Sequence, residues 1–307
     1  MRIRDVLRRL LQTMRQPRTF YLLGAGTSYG IVPTTQEMRQ RIVDAYHDVG
    51  VYDVTPAPPS ALFDRLIGEV RDETDLREML LTHMPHAVLD LLSQHALWTP
   101  NRTVVPVQYA LFDIVAAPAT LFTFNLDGLA SAYCRRRHEV LEPHGVIDHP
   151  WFDDDEIYRE LLDGAAWYGV AAPHLTPKVL PAPELPDVIL GAAYVRARQV
   201  FPRSRALIVA GYSFGDRGGI LDDAPSFEFF ASVLQAHPRP VYIVSGNPYE
   251  LAERLRECVR SDAVYPLALR WERFTGFLLA RSDPVYGLKA DWTSRELDEL
   301  HGETRFD

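Results

Sequence analysis

Short apolar segments of this chain end repeatedly in residues that can bind or activate a ligand. The first of them, YLL at positions 21–23, leads into a run of small residues: Gly24, Ala25, Gly26, Thr27 and Ser28. Glycines in such a turn allow a close approach to a phosphate. We therefore expect Gly24 and Gly26 to allow backbone N–H groups to face a phosphate-bearing ligand.

Four further apolar segments end in residues that suit chemistry at a sugar or an amide. After them come Asn125 and Asp127 in TFNLD, His144 in LEPHG, Gly211 and Ser213 in AGYSFGD, and Asn247 in VSGN. An asparagine amide both donates and accepts hydrogen bonds. A histidine, with an ordinary pKa of about 6.5, can accept a proton near neutral pH. Asn125, His144 and the short carboxylate of Asp127 are therefore the candidate catalytic residues.

Two common phosphate-binding motifs do not fit the glycine run. It is not a P-loop, because no Gly-Lys-Ser or Gly-Lys-Thr follows it. The dinucleotide fingerprint G-x-G-x-x-G also fails, since Gly30 comes one position late and Pro33 stands where the helix of that motif is already running. A plain turn that binds no ligand remains an alternative at this point.

Strand-like and helix-like segments alternate along the sequence, which is typical of an α/β fold. The apolar runs at 19–23, 118–125, 140–143, 205–216 and 240–246 predict strands. Continuous apolar strands separated by helices indicate a doubly wound, Rossmann-like parallel sheet that is covered on both faces. Because the carboxyl ends of parallel strands share one edge, we expect the five polar segments to meet there.

The predicted core domain spans residues 19–280 and is extended by insertions and terminal helices. The segments near 56–101 and 146–200 predict helical insertions that form a lid or a small lobe. Residues 1–18 predict an amphipathic helix with an arginine-rich face, and the acidic tail at 281–307 predicts a helix that begins after Thr293. Their opposite charges suggest a contact between subunits, with two separate solvated faces as the alternative.

Composition restricts the class of protein. The net charge of −9 disfavours a dedicated nucleic-acid-binding protein. Because the two cysteines, Cys134 and Cys258, lie far apart, we expect neither a disulfide framework nor a structural zinc site. No apolar run approaches the roughly 18 residues of a membrane span. The sequence therefore predicts a cytoplasmic protein without a metal, a membrane partner or direct nucleic-acid binding.

The order of the motifs resembles that of the sirtuin-like (SIR2-like) NAD-binding family. GAGTS, TFNLD, a strand ending in HG, AGYSFGD and a strand ending in Gly-Asn follow one another between about residues 19 and 260. The resemblance implies that the GAGTS residues cradle the diphosphate of NAD+. It places Asn125 and Asp127 near the nicotinamide ribose and amide, and it makes His144 the catalytic histidine. Gly211 and Ser213 match the Gly-x-Ser motif of the family.

Asn247 matches the strand-end asparagine of the same family, which implies a position near the adenosine half of NAD+. Two departures from the sirtuin pattern bear on the reaction. Sirtuin deacylases carry a four-cysteine zinc module after the histidine, whereas residues 146–186 contain no cysteine. The Pro-Asp-Phe-Arg stretch of the family is also missing, because Pro33 is followed by Thr-Thr-Gln.

The chain in this respect resembles zinc-free bacterial defence effectors, which consume NAD+ when a partner or ligand activates them. That resemblance implies an NAD+ glycohydrolase (NADase) with NAD+ as its substrate. It also implies an antiphage role, and either an activator protein or a homo-oligomer.

Two other functions are compatible with the sequence. The stretch GYSFG at 211–215 also matches G-x-S-x-G, the nucleophile elbow of serine hydrolases, with Asp262 and His301 downstream. That elbow should lead straight into a helix, whereas the following stretch, DRGGILDDAP, predicts a loop. The other alternative is a non-catalytic sensor that binds NAD+ or ADP-ribose through the same fold.

Overall fold

A computed structural model of the chain describes residues 2–29, 106–125, 128–143, 191–214, 223–259 and 263–305. The chain divides into two compact units, of which the first comprises Met1–Thr27, Val105–Pro143 and Ala182–Asp307, and the second Ser28–Val104 and His144–Pro181. All the described residues except Ser28 and Tyr29 belong to the first unit. The insertion predicted near 56–101 and most of the one near 146–200 lie outside the described residues.

Six strands within the described residues form one parallel sheet. They are β1 (Phe20–Leu23), β2 (Thr120–Thr123), β3 (Glu139–Leu141), β4 (Leu207–Ala210), β5 (Val241–Ser245) and β6 (Val264–Ala268). Their order across the sheet is β3-β2-β1-β4-β5-β6, and every neighbouring pair is parallel. The predicted parallel α/β sheet is confirmed, and β1 to β5 each overlap a segment for which the sequence predicts a strand.

Helices flank these strands. Those described are α1 (Ile3–Met14), α2 (Val107–Ile114), α3 (Leu129–Cys134), α4 (Ala192–Val200), α5 (Ala224–Ala236), α6 (Tyr249–Val259), α7 (Trp271–Arg281) and α8 (Ser294–Thr304). One 3-10 turn, Ala25–Thr27, follows β1, and another, Phe201–Arg203, follows α4. None of the described helices has the length and apolar character needed to cross a lipid bilayer.

One face of the sheet is covered by α4, α5 and α6 through a core rich in aromatic rings. Phe20 of β1 and Phe122 of β2 belong to the same buried cluster as Tyr194 of α4 and Phe230 of α5. The Phe122 ring lies edge-on to the rings of Tyr194 and Phe230, with 5.1 Å between centroids in each pair. Such aromatic pairs stabilise a core beyond the area that they bury.

The opposite face is covered by α1, α2 and α7. Successive strand residues point to opposite faces, so Tyr21 of β1 faces away from the cluster around Phe122. The Tyr21 ring lies edge-on to Phe112 of α2, at 5.2 Å between centroids, and Phe112 lies 6.4 Å from Trp271 of α7. Burial raises the pKa of the Tyr242 hydroxyl of β5, and Thr13 of α1 lies beside this group. The sheet is therefore doubly wound, as the sequence predicts.

The first and last helices meet within one chain. Arg4 of α1 forms a salt bridge with Asp298 of α8. The side chain of Thr293 accepts a hydrogen bond from the N–H of Glu296, whose carboxylate accepts one from the N–H of Thr293, so that α8 begins with a capping box. At this ion pair, the basic first helix and the acidic last helix thus contact each other within one chain, whereas their opposite charges had suggested a contact between subunits.

Candidate functional site

The glycine run after β1 lies where the strand order of the sheet reverses. β1 pairs with β2 on one side and with β4 on the other. Ligands of open α/β sheets bind in the crevice that such a reversal leaves at the carboxyl ends of the strands. Residues 24–27, here called the first turn, and residues 211–214, the second turn, follow β1 and β4 at this point. Both turns therefore lie at the edge of the sheet where the strand order reverses.

Hydrogen bonds inside the protein use most of the N–H groups of the first turn. The Gly24 N–H donates to Ala210 O at 3.0 Å, the Gly26 N–H to Gly211 O at 3.0 Å, and the Thr27 N–H to Gly24 O at 2.8 Å. The N–H groups of Gly24 and Gly26 thus already donate to carbonyl groups, and the binding of a phosphate by this turn stays a prediction. Ala25 is exposed, and its N–H takes no part in these three bonds.

Close packing of the two turns explains their glycines. A Cβ on Gly26 would lie 2.8 Å from the Cα of Gly211, and a Cβ on Gly24 would lie 2.5 Å from the Cβ of Tyr212. Gly211 adopts a φ of +59°, and a Cβ there would lie 2.6 Å from the carbonyl carbon of Gly26. Heavy atoms do not approach so closely, so larger residues would force the turns apart. The glycines thus serve the contact between the turns.

Asn125 ties the end of β2 to the first turn. The residue is buried, and its Nδ2 donates to Thr27 Oγ1 at 3.1 Å and to Tyr109 Oη at 3.5 Å. Thr27 Oγ1 donates its own proton to Gly24 O at 2.7 Å, so it can only accept from Asn125. The orientation of the amide is thereby fixed. The structure brings together two of the predicted site segments, GAGTS and TFNLD.

Two aromatic residues that the sequence analysis did not single out lie beside the turns. The ring of Phe124, which follows β2, stacks on Tyr212 with 4.1 Å between centroids and 7° between planes. The Tyr212 hydroxyl donates to the carboxylate of Asp223. Asp223 is buried and caps α5 by accepting from the Ser226 N–H at 3.3 Å. The sequence signal for this cluster is an aromatic residue inside two of the strand-end segments, Phe124 in TFNLD and Tyr212 in AGYSFGD.

Ser213 is exposed in the second turn. A nucleophile elbow holds its serine in a strained backbone conformation between a strand and a helix. The positive φ angles among the described residues of this turn belong instead to Gly211, at 59°, and Phe214, at 61°. Asp262 lies outside the described residues, and His301 lies on α8. The backbone at Ser213 therefore does not favour the serine hydrolase alternative.

Asn247 lies at the same edge of the sheet, two residues after the end of β5, and is exposed. β5 is the neighbour of β4, and the Gly211 N–H donates to Val244 O of β5 at 3.0 Å. Asn247 thus stands one strand beyond the second turn. Ser28, the last residue of the glycine run, is buried.

Asp127 and His144 lie outside the described residues. Their described chain neighbours are Asn125 after β2 and Pro143 after β3. Because β2 and β3 are adjacent and parallel, Asn125 and Pro143 belong to one edge of the sheet. In the sequence, Asp127 and His144 therefore come after strands that end at this edge, and their roles stay predictions.

A histidine at the opposite edge, His138, serves the fold. Its Nδ1 accepts from the Ala119 N–H at 3.1 Å, so Nε2 carries the proton and donates to Phe112 O at 2.7 Å. Burial lowers the pKa of His138, which keeps the ring neutral. Both nitrogens are used inside the protein, and His138 is no candidate for catalysis.

The described residues indicate neither a reactive thiol at Cys134 nor a metal site. Burial raises the pKa of the Cys134 thiol to about 12, and a protonated, buried thiol is a poor nucleophile. No group of three or more His, Cys, Asp or Glu side chains within the described ranges is arranged to hold a metal ion.

Solved structures of Sir2 proteins are similar to this chain. A structure described as "Structural Basis for the Mechanism and Regulation of Sir2 Enzymes" is similar with a TM-score of 0.49 and 16% identity, over 98% of this chain and 98% of that one. A "Sir2-p53 peptide-NAD+" complex is similar with a TM-score of 0.44 and 13% identity, over 92% and 98% of the two chains. No protein-family model and no curated protein matches the sequence. Likenesses at this level do not decide the family or the activity of the chain.

Proposed function

We propose that the carboxyl edge of the sheet binds NAD+ and hydrolyses its nicotinamide–ribose bond, giving nicotinamide and ADP-ribose. The observation that carries the proposal is the hydrogen bond from Asn125 to Thr27, together with the packing of Gly26 on Gly211. These contacts join three of the five motifs at the reversal point of the strand order. A dinucleotide that crosses this point meets both halves of the sheet.

The diphosphate of NAD+ would lie against the first turn. Ala25 is exposed, and its N–H takes no part in the internal bonds made by the N–H groups of Gly24, Gly26 and Thr27. It is therefore the backbone donor that the first turn offers to a phosphate oxygen. Those internal bonds hold this donor in place before the ligand arrives, which lowers the ordering cost of binding. Asn247, one strand beyond the second turn, would contact the adenosine half.

The reaction breaks the bond between C1′ of the ribose and the pyridinium nitrogen. The electron pair of that bond leaves with nicotinamide, which is neutral, so no strong acid is required. A water molecule then attacks C1′, and His144 accepts its proton. Asn125 would align the ribose or the water, and Asp127 would bind the carboxamide of nicotinamide. A fixed geometry and the exclusion of other water supply most of the rate increase.

A non-catalytic NAD+ sensor is the second candidate. The observation that favours it is the use of both Asn125 Nδ2 donors within the protein, towards Thr27 and Tyr109. Such bonds would be needed equally in a protein that binds NAD+ without cleaving it. A calorimetric titration distinguishes the two functions, because a sensor binds NAD+ tightly and leaves it intact.

The test uses the purified full chain, NAD+ and chromatographic detection of nicotinamide, with and without a candidate activator. We expect wild-type protein to release nicotinamide, and His144→Ala to lose that release while still binding NAD+. Asn125→Ala should lose both activity and part of the binding, because it also removes the bond to Thr27. Nicotinamide release that is undiminished in His144→Ala would overturn the assignment of the site, and loss in Ser213→Ala alone would support a hydrolase instead.

The resemblance to defence effectors extends the proposal to an activated antiphage role. In that role, cells that express the wild-type chain should lose NAD+ on phage infection, and cells that express His144→Ala should not. Equal NAD+ levels in the two strains during infection would contradict the defence role without contradicting the chemistry.

A further inference from the structure

Tyr212 fills the space directly over the first turn. A Cβ on Gly24 would lie 2.5 Å from both the Cβ and the Cδ2 of Tyr212. The Tyr212 ring also stacks on Phe124, at 4.1 Å between centroids. Tyr212 therefore contacts both the glycine that follows β1 and the residue that precedes Asn125. Movement of this ring would loosen both of those segments.

The Tyr212 hydroxyl is fixed from a third direction. It donates to one carboxylate oxygen of Asp223, whose other oxygen accepts from the Ser226 N–H at the start of α5. Asp223 is 2% exposed, so the bond is shielded from water. Charge-assisted hydrogen bonds of this kind are stronger than neutral ones. The ring orientation over Gly24 is thus coupled to the first turn of α5.

We propose that Tyr212 is a positioning residue for ligand binding: it holds the first turn in the geometry that presents the Ala25 N–H. The inference rests on the proposed binding of NAD+ at this edge and adds to it the residue that orders the diphosphate contact. In this proposal Tyr212 acts on the turn, which it contacts at Gly24, and not on the reacting C1′ atom. Its removal should therefore weaken binding and leave the chemical step nearly unchanged, because only interactions made in the transition state alter that step.

The test compares Tyr212→Phe and Tyr212→Leu with Tyr194→Phe as a matched control. Tyr194 is also buried, and its hydroxyl bonds to Ser226 Oγ at 2.6 Å, in the same first turn of α5. Its ring packs on Phe122 in the core of the sheet and not on Gly24. If ligand binding weakens only because the fold is less stable, Tyr194→Phe and the Tyr212 variants should both bind more weakly. If Tyr212 positions the first turn, only the Tyr212 variants should bind more weakly.

We expect Tyr212→Phe to raise KM for NAD+ and Kd for ADP-ribose by about tenfold, the scale of ordering one loop. Its kcat should stay within about twofold of wild type. Tyr212→Leu should have a larger effect on KM, since it also removes the stacked ring. Tyr194→Phe should bind like wild type although its melting temperature falls. Wild-type KM in both Tyr212 variants, or a lower kcat with unchanged KM, would overturn the positioning role.

Amide hydrogen exchange separates this proposal from the proposed function. In the free protein, the Gly24 and Gly26 amides should exchange faster in Tyr212→Leu than in wild type, relative to amides inside β1. If the wild-type chain neither binds nor cleaves NAD+, the proposed function fails, and exchange at these two amides alone decides whether Tyr212 holds the turn. Unchanged exchange there would overturn the positioning role even in an active enzyme.

Discussion

Replacing Gly26 by alanine tests the packing of the two glycine turns on each other. The new Cβ would lie 2.8 Å from the Cα of Gly211 and 3.2 Å from its carbonyl oxygen. Both are backbone atoms, which cannot rotate away as the end of a flexible side chain can. The two turns must therefore separate, and the hydrogen bond from the Gly26 N–H to Gly211 O, now 3.0 Å long, must stretch.

The expected cost follows from these two changes. Overpacking of a close contact costs about 1–3 kcal/mol, and a weakened hydrogen bond adds about 1 kcal/mol. Alanine also stabilises the folded state by about 0.4–1 kcal/mol, because it lowers the conformational entropy of the unfolded chain. The net prediction is that Gly26→Ala lowers the free energy of unfolding by about 1–3 kcal/mol.

Urea unfolding followed by tryptophan fluorescence measures this change. Gly302→Ala is the matched control, because a Cβ at this exposed position of α8 would meet nothing within 4 Å. In a helix, that replacement should raise the free energy of unfolding by about 0.5–1 kcal/mol. The two variants should thus differ in sign. Equal stability of Gly26→Ala and Gly302→Ala would refute the packing argument.

Two further predictions concern buried groups elsewhere in the sheet unit. The Tyr21 hydroxyl is buried and has no hydrogen-bond partner among the described residues, so Tyr21→Phe should raise the free energy of unfolding by about 1–3 kcal/mol. Tyr194→Phe, which loses a bond to Ser226, should lower it, and a destabilised Tyr21→Phe would contradict the prediction. Because burial lowers the pKa of His138, the unfolded chain binds more protons once the pH falls below about 6.5. The free energy of unfolding should therefore decrease as the pH falls below about 6.5, by up to about 1.4 kcal/mol per pH unit. This contribution to the decrease should be absent in His138→Gln. Identical pH profiles of stability for the variant and the wild type would contradict the prediction.

The sequence predicted the sheet well because its central strands carry a strong signal. β1 and β4 are fully buried apolar runs, and such runs between helices indicate a parallel sheet. β6 was not predicted, because Pro266 interrupts a short and half-buried segment. β6 is the outermost strand, and an edge strand tolerates a proline that a central strand does not.

The contacts within the candidate site are harder to predict from the sequence than the strands that precede it. Strand ends indicate which edge the site residues share, but not which group each one contacts. A glycine is needed at position 26 because Gly211 packs against it. Gly211 is far along the chain, and no local sequence pattern predicts such a contact. The same holds for Tyr212, whose partners Phe124 and Asp223 come from separate segments. Asp127 and His144 lie outside the described residues, and their roles stay predictions.

Product analysis of NAD+ after incubation with the purified chain tests the central proposal most directly. We predict that nicotinamide and ADP-ribose form in equimolar amounts, and that His144→Ala binds NAD+ but forms neither product. Intact NAD+ after incubation of the wild-type chain with every candidate activator, or equal product formation by His144→Ala, would contradict an NAD+-cleaving site at the carboxyl edge of this sheet.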